Sequence, residues 1–177
     1  MEFKELIEAR RSVRKYVASE ISKAEVEAIV GEALNAPSWK NTEVTRYYAA
    51  VSAEAKGRLW SEALPGFNVA STANAAALVA VTFKQGESGY MGTAAANELG
   101  ETWGAYDCGL ASAYFVLAAK DHGWDSLILG IRDAAKIKVL LGIPDDEVVT
   151  SVIALGKAAG AAAKPPRKPV GGVLKVS

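Results

Sequence analysis

Ala76-Ala77-Leu78-Val79-Ala80-Val81-Thr82-Phe83 is an almost unbroken apolar run of strand length, and its reading decides the architecture. A strand buried on both faces looks like this, because neither set of alternating side chains meets water. Val148 to Leu155 reads the same way. Such strands need cover on both sides, and the segments around them supply helices. Ser22 and Glu25 form a capping box ahead of an apolar face of Val26, Ile29, Val30, Ala33 and Leu34. That helix stops near Pro37. Ala105 to Ala119 is long, apolar and small-sided, and predicts a central helix ending at Gly123. Asp133 caps a helix that closes at Leu140-Leu141-Gly142, ahead of Pro144.

Shorter signals fill the rest. Phe3, Leu6 and Ile7 predict a first helix to about Ala9. Arg46 to Val51 and Ser126 to Ile131 read as strands, and Ser52 caps a helix carrying Leu59 and Trp60. Leu64-Pro65-Gly66 is a turn, and Gln85 to Gly100 reads as a loop or lid. From Gly156 the chain turns to alanine, glycine and proline, too irregular for a core element. Strands separated by helices or long connections predict a mixed sheet with helices on both faces, in one domain over residues 1–177.

The composition narrows the chemistry. Acidic and basic side chains balance at 20 each, so no general polyanion surface exists and nucleic-acid binding is not expected. No apolar run is long enough for a bilayer, and charges from Glu2 to Arg11 break any signal-peptide pattern. Cys108 and His122 are each the only residue of their kind. They leave no internal disulfide, no cysteine metal cluster and little scope for a histidine-based triad; a reducing cytoplasm fits. Hard chemistry must come from a cofactor or from carboxylates.

Against that neutral background, Glu8-Ala9-Arg10-Arg11-Ser12-Val13-Arg14-Lys15-Tyr16 stands out. Forked guanidinium groups grip phosphate oxygens. A second basic cluster, Lys164-Pro165-Pro166-Arg167-Lys168, lies near the other terminus. The two close on one small phosphate if the termini meet; otherwise both are solvated surface charge.

The order of motifs resembles the nitroreductase family of FMN-dependent oxidoreductases over nearly the whole chain. The resemblance rests on Arg10 to Tyr16, then Ala36-Pro37-Ser38-Trp39-Lys40-Asn41, then Asp107-Cys108-Gly109-Leu110-Ala111-Ser112 with Leu127-Ile128-Leu129-Gly130-Ile131-Arg132-Asp133. It is completed by Leu141-Gly142-Ile143-Pro144, Val152-Ile153-Ala154-Leu155-Gly156 and Pro166-Arg167-Lys168-Pro169. It implies an α+β fold with a mostly antiparallel central sheet covered by helices on both faces. It also implies a homodimer with FMN at the subunit interface, and residues 157–177 as a C-terminal arm on the partner.

By the same resemblance, Arg10, Arg14 and Arg167 contact phosphate and ribityl groups, with Ser12 as a hydroxyl partner and Lys164 assisting. Arg11 contributes main-chain groups or touches the ring edge. Pro37, Ser38, Trp39 and Asn41 belong to a loop that covers the flavin from the neighbouring subunit. Asn68 resembles an amide that bonds the pyrimidine edge, and Leu129-Gly130 sits where the family offers N–H groups near flavin N5. Blander roles stay open: Pro37 is also a helix stop, Asn68 a turn residue and Gly130 a strand end with an unusual angle. Trp39 lies in a polar loop and reads as exposed. Cys108 reads as a small buried residue and His122 as a helix-dipole partner.

Two departures stand out. Glu43-Val44-Thr45 replaces the glutamine and Pro-Trp pair of many members, and Leu129 replaces a residue that is often acidic. The implied activity is hydride transfer from NADH or NADPH through FMN to a small acceptor such as a nitroaromatic or quinone. Alternatives are a flavin-binding structural or regulatory dimer without turnover, and another flavin reaction such as dehalogenation or enone reduction.

Overall fold

The computed structural model describes residues 1–177. The two apolar runs become adjacent strands, β3 at Ala77–Lys84 and β7 at Glu147–Ala158, paired antiparallel from Ala77↔Leu155 to Lys84↔Glu147. β2 at Thr45–Ala50 pairs with the other edge of β3. β6 at Asp125–Leu129 and the two-residue β1 at Tyr16–Val17 both pair with β7. Every strand pairing is antiparallel, and a lone parallel bridge joins Ser12 to Ser126.

Alternation along β3 sends Ala77, Val79, Val81 and Phe83 to one face and Leu78 and Ala80 to the other. The first face is covered by α2 at Lys23–Ala33 and by α5 at Thr102–Asp121. The second is covered by α3 at Ala53–Arg58, the π turn that extends it over Leu59–Ala63, and α6 at Ala134–Leu141. These helices begin where the sequence places their caps. Ser22 and Glu25 close the capping box, the Ala55 N–H donates to Ser52 Oγ, and the Lys136 N–H donates to Asp133 Oδ1. Gly142 ends α6 at φ 65°, a left-handed angle that suits glycine.

Three expectations need correction. Gly156 does not end the ordered core: β7 runs on to Ala158, so the arm begins at Ala159. The glycine is there because Tyr16 packs where a side chain would be; a Cβ would lie 2.4 Å from its ring. Residues Gly66–Thr72, read only as the sequel to a turn, form helix α4. Its short, weakly periodic sequence carries little helical signal, and Asn68 is therefore helical rather than a turn residue. The Gln85–Gly100 segment carries a small hairpin, Tyr90–Met91 with Ala94–Ala95, tied to α5 by Trp103 Nε1 donating to Asn97 Oδ1. The first helix, α1 at Phe3–Ala9, ends as expected and leads into the basic run.

Candidate functional site

The two basic clusters meet. Arg10, Arg11, Ser12 and Arg14 form one wall of a cleft of about 300 Å³, and Lys164 and Arg167 of the arm form the other. The basic run is extended where it leaves α1, and the Val13 N–H anchors it by donating to Ser126 O at 2.9 Å. Buried Val13 therefore holds the run while its charged neighbours face outward.

The cations are not equivalent. Arg11 is braced against main chain, donating to Glu8 O at 2.5 Å and Arg10 O at 2.7 Å. Lys164 is ion-paired with Glu8, whose carboxyl is held below its ordinary range by that lysine. Arg14 reaches only Ser12 O, at 3.4 Å. Arg10 and Arg167 make no side-chain hydrogen bond or ion pair within the chain. Five cations thus face one carboxylate, and three guanidinium groups retain most or all of their donors. That donor set fits a phosphate dianion.

β6 links this cleft to the other half of the predicted site. Its register alternates, and Ser126 turns its main chain toward Val13, away from β7. By the same alternation Ile128 directs its N–H to the open edge, and Gly130 follows directly after the strand. Gly130 departs from its blander reading: its φ is not positive, and a Cβ there would meet nothing within 4 Å. Leu129 is buried in the core and offers no side chain to a ligand. Buried Asn68 donates from Nδ2 to Ile131 O at 2.7 Å, which places it beside Gly130. The amide oxygen and one amide hydrogen remain for another partner. Ser126 to Gly130 spans roughly 13 Å at strand rise.

Pro37, Ser38, Trp39 and Asn41 are elsewhere. They precede β2, whose Thr45 is level with Phe83 and Val148, whereas Ser126 is level with Leu155. The separation is roughly 23 Å along the strands and about 14 Å across three strand spacings. Trp39 is not the exposed anchor its polar context suggests. It is partly buried, its ring centroid 4.9 Å from Trp103, and its main-chain N–H donates to Asp107 Oδ2 at 3.0 Å. Asp107 also accepts from Ser88 Oγ at 2.5 Å, so one buried carboxylate ties this loop to the Gln85–Gly100 segment. Sequence reading gave Asp107 no role. Its one signal is a charge at the start of an otherwise apolar helix.

Neither sulfur nor imidazole enters the cleft. Cys108 is buried, with Sγ 3.1 Å from Thr150 Oγ1, and burial pushes its thiol up. His122 caps the end of α5 and contacts Glu32 at 2.8 Å. No group of three or more His, Cys, Asp or Glu is placed to hold a metal ion, and no helix is long and apolar enough to cross a membrane.

Comparison with known proteins gives a consistent picture. A relative from Archaeoglobus fulgidus, provisionally named an NADH dehydrogenase/NAD(P)H nitroreductase, is 30% identical over 155 residues, covering 85% of this chain and 82% of its own. The fold matches a structure from Exiguobacterium sibiricum, provisionally described as a nitroreductase and determined in complex with FMN. Its TM-score is 0.88 at 23% identity, over 100% of this chain and 98% of that one. It also matches CLA-ER, an enone reductase of gut-bacterial fatty acid saturation metabolism, with TM-score 0.86 at 22% identity over 99% and 97% of the two chains. The family model described as the nitroreductase family matches residues 7–157. The chain therefore belongs to the nitroreductase family, a family of oxidoreductases.

Proposed function

We propose that this chain binds FMN and uses it to pass reducing equivalents from NADH or NADPH to a small electron acceptor such as a nitroaromatic or quinone. The observation that carries the reading is the basic cleft continued by the open edge of β6. Arg10, Arg14 and Arg167 hold the phosphate, with Ser12 beside them and Lys164 adding charge. Asn68 and the Gly130 N–H meet the flavin ring, and a main-chain donor there favours negative charge at the ring edge. When bound, FMN supplies the hydride chemistry itself, so no side-chain nucleophile is required. The chain's own task is to orient and to exclude water.

The same reading makes the working unit a homodimer. Pro37, Ser38, Trp39 and Asn41 are too far from their own chain's cleft to share one flavin with it, so their flavin belongs to the partner subunit. Two surfaces support the pairing. Along α5, the aromatic side chains of Tyr106 and Tyr114 are exposed. In the arm, Val170, Val173, Leu174 and Val176 are exposed apolar residues with no cover in their own chain. Residues 159–177 then pack on the partner.

The test is the absorbance spectrum of the purified protein, FMN release on denaturation, and steady NAD(P)H oxidation with an added acceptor. A colourless protein that takes up no FMN refutes the cofactor. Bound flavin without turnover favours the structural or regulatory dimer. Sedimentation across a dilution series tests the shared site, and a stable monomer with full FMN occupancy refutes it.

A further inference from the structure

An asparagine offered to a ligand presents either an acceptor oxygen or a donor nitrogen, and its neighbours decide which. In the Ser38–Glu43 loop that choice is made by Glu43. Asn41 Nδ2 donates to Glu43 Oε1 at 2.8 Å. A carboxylate only accepts, so the amino end of the amide must face it and Asn41 Oδ1 must face away. A glutamine at position 43 imposes no such choice, because two amides pair either way round.

The backbone keeps this pair in register. Lys40, Asn41 and Glu43 have φ of 46°, 57° and 49°, left-handed angles that cost non-glycine residues and persist only where the surroundings hold them. Here the Asn41 N–H donates to Ser38 O at 3.1 Å and the Thr42 N–H to Trp39 O at 2.9 Å. The Glu43 N–H donates to Ser38 Oγ at 3.0 Å, and Arg46 donates to Glu43 O at 2.6 Å. Asp107 fixes the start of the loop through Trp39. With the main chain held at both ends, the Asn41 side chain keeps only its own torsions, and Glu43 removes those.

We propose that Glu43 is a positioning residue that locks the Asn41 amide with its oxygen outward, so that the loop accepts a hydrogen bond from an N–H or O–H of the flavin. The inference rests on the reading that this loop meets the flavin of the partner subunit.

FMN retained by the loaded protein on serial dilution, followed by flavin fluorescence, measures the effect in N41A, E43A, E43Q, E43K and the double variant N41A/E43A. N41A weakens retention about three- to tenfold, the value of one ordinary hydrogen bond, and E43A about twofold, because a free amide presents its oxygen about half the time. The double variant is no weaker than N41A, because the two residues act through one contact. E43Q recovers part of the loss. E43K, whose ammonium only donates, turns the amide round and is weaker than E43A. Full retention in E43A or E43K alongside an impaired N41A overturns the lock. Additive losses in the double variant overturn it too. Full retention in N41A refutes instead the reading that this loop meets the flavin, and the lock falls with it.

Discussion

Replacing Gly156 by alanine should destabilise the protein, although the change adds one methyl group. The new Cβ would lie 2.4 Å from Tyr16 Cδ1, 3.0 Å from Cγ and 3.1 Å from Cε1. Carbon atoms pack best at about 3.5–4.0 Å, so the ring must retreat by roughly 1 Å. It has little room to do so. Tyr16 is 4% exposed, it lies within the core cluster, and its strand is paired with Ala158. Overpacking a filled core costs about 1–3 kcal/mol. Restricting the unfolded chain by a glycine-to-alanine change returns about 0.4–1 kcal/mol. Those ranges centre on a net loss of about 1.3 kcal/mol, a drop in Tm of roughly 3–5 °C at this size. Urea unfolding should show a lower midpoint with unchanged slope. Gly31→Ala is the control: it sits inside α2 with nothing within 4 Å of a new Cβ, and should stabilise by about 0.5–1 kcal/mol. A smaller side chain at Tyr16 should make the Gly156→Ala cost shrink, since the two would no longer collide. A Gly156→Ala protein as stable as the parent would refute the reasoning.

Other outcomes follow from the same geometry. Arg10→Ala and Arg167→Ala should each weaken FMN binding, by up to the roughly 1.5–3 kcal/mol of a charge-assisted hydrogen bond, and lysine at either position should recover only part of it. FMN titration checks this, and unchanged affinity in both variants removes the phosphate assignment. Cys108→Ser should keep most turnover in a steady-state NAD(P)H assay, because Thr150 Oγ1 and Thr82 O remain as partners for a hydroxyl. Glu25 should give a pH signature, since hydrogen bonds from Ser22 hold its carboxyl below the ordinary 4.5. A depressed folded-state value means stability is present above 4.5 and lost as pH falls through the folded value. Glu25→Gln should therefore lose less stability than the parent between neutral pH and the acid side of that range, as read by thermal melts across pH.

Much of the fold is legible before any coordinates because its signals are local. The apolar runs at β3 and β7 are strands wherever they are placed, since burial on both faces is their only stable environment. The caps at Ser22, Ser52 and Asp133 act on N–H groups three residues away, so each helix start is written within one turn. Arg10 to Arg14 and Lys164 with Arg167 are visible as charge concentrations in a neutral chain. The signals that fail are those whose meaning depends on distant neighbours. Helix α4 has little pattern of its own, and Gly156 looks like the start of an irregular tail until Tyr16 is seen occupying the space of its side chain.

The sequence alone determined the main strands and capped helices, the two-faced cover of the sheet and the residue chemistry of a phosphate site. These depend on side-chain type, short-range spacing and hydrophobic burial, all carried along the chain. Only the tertiary structure decided that charges more than 150 residues apart share one cleft. It also decided that β6 leaves an edge open beyond the Ser12 bridge and that Trp39 packs on Trp103 rather than facing outward. It set the Asn41 amide nitrogen on the Glu43 carboxylate, at the opposite end of the sheet from the arginines. The physical reason is that strand register and sheet order are fixed by the summed packing of two cores. Distances between sites are set by that pairing and by no single stretch of residues.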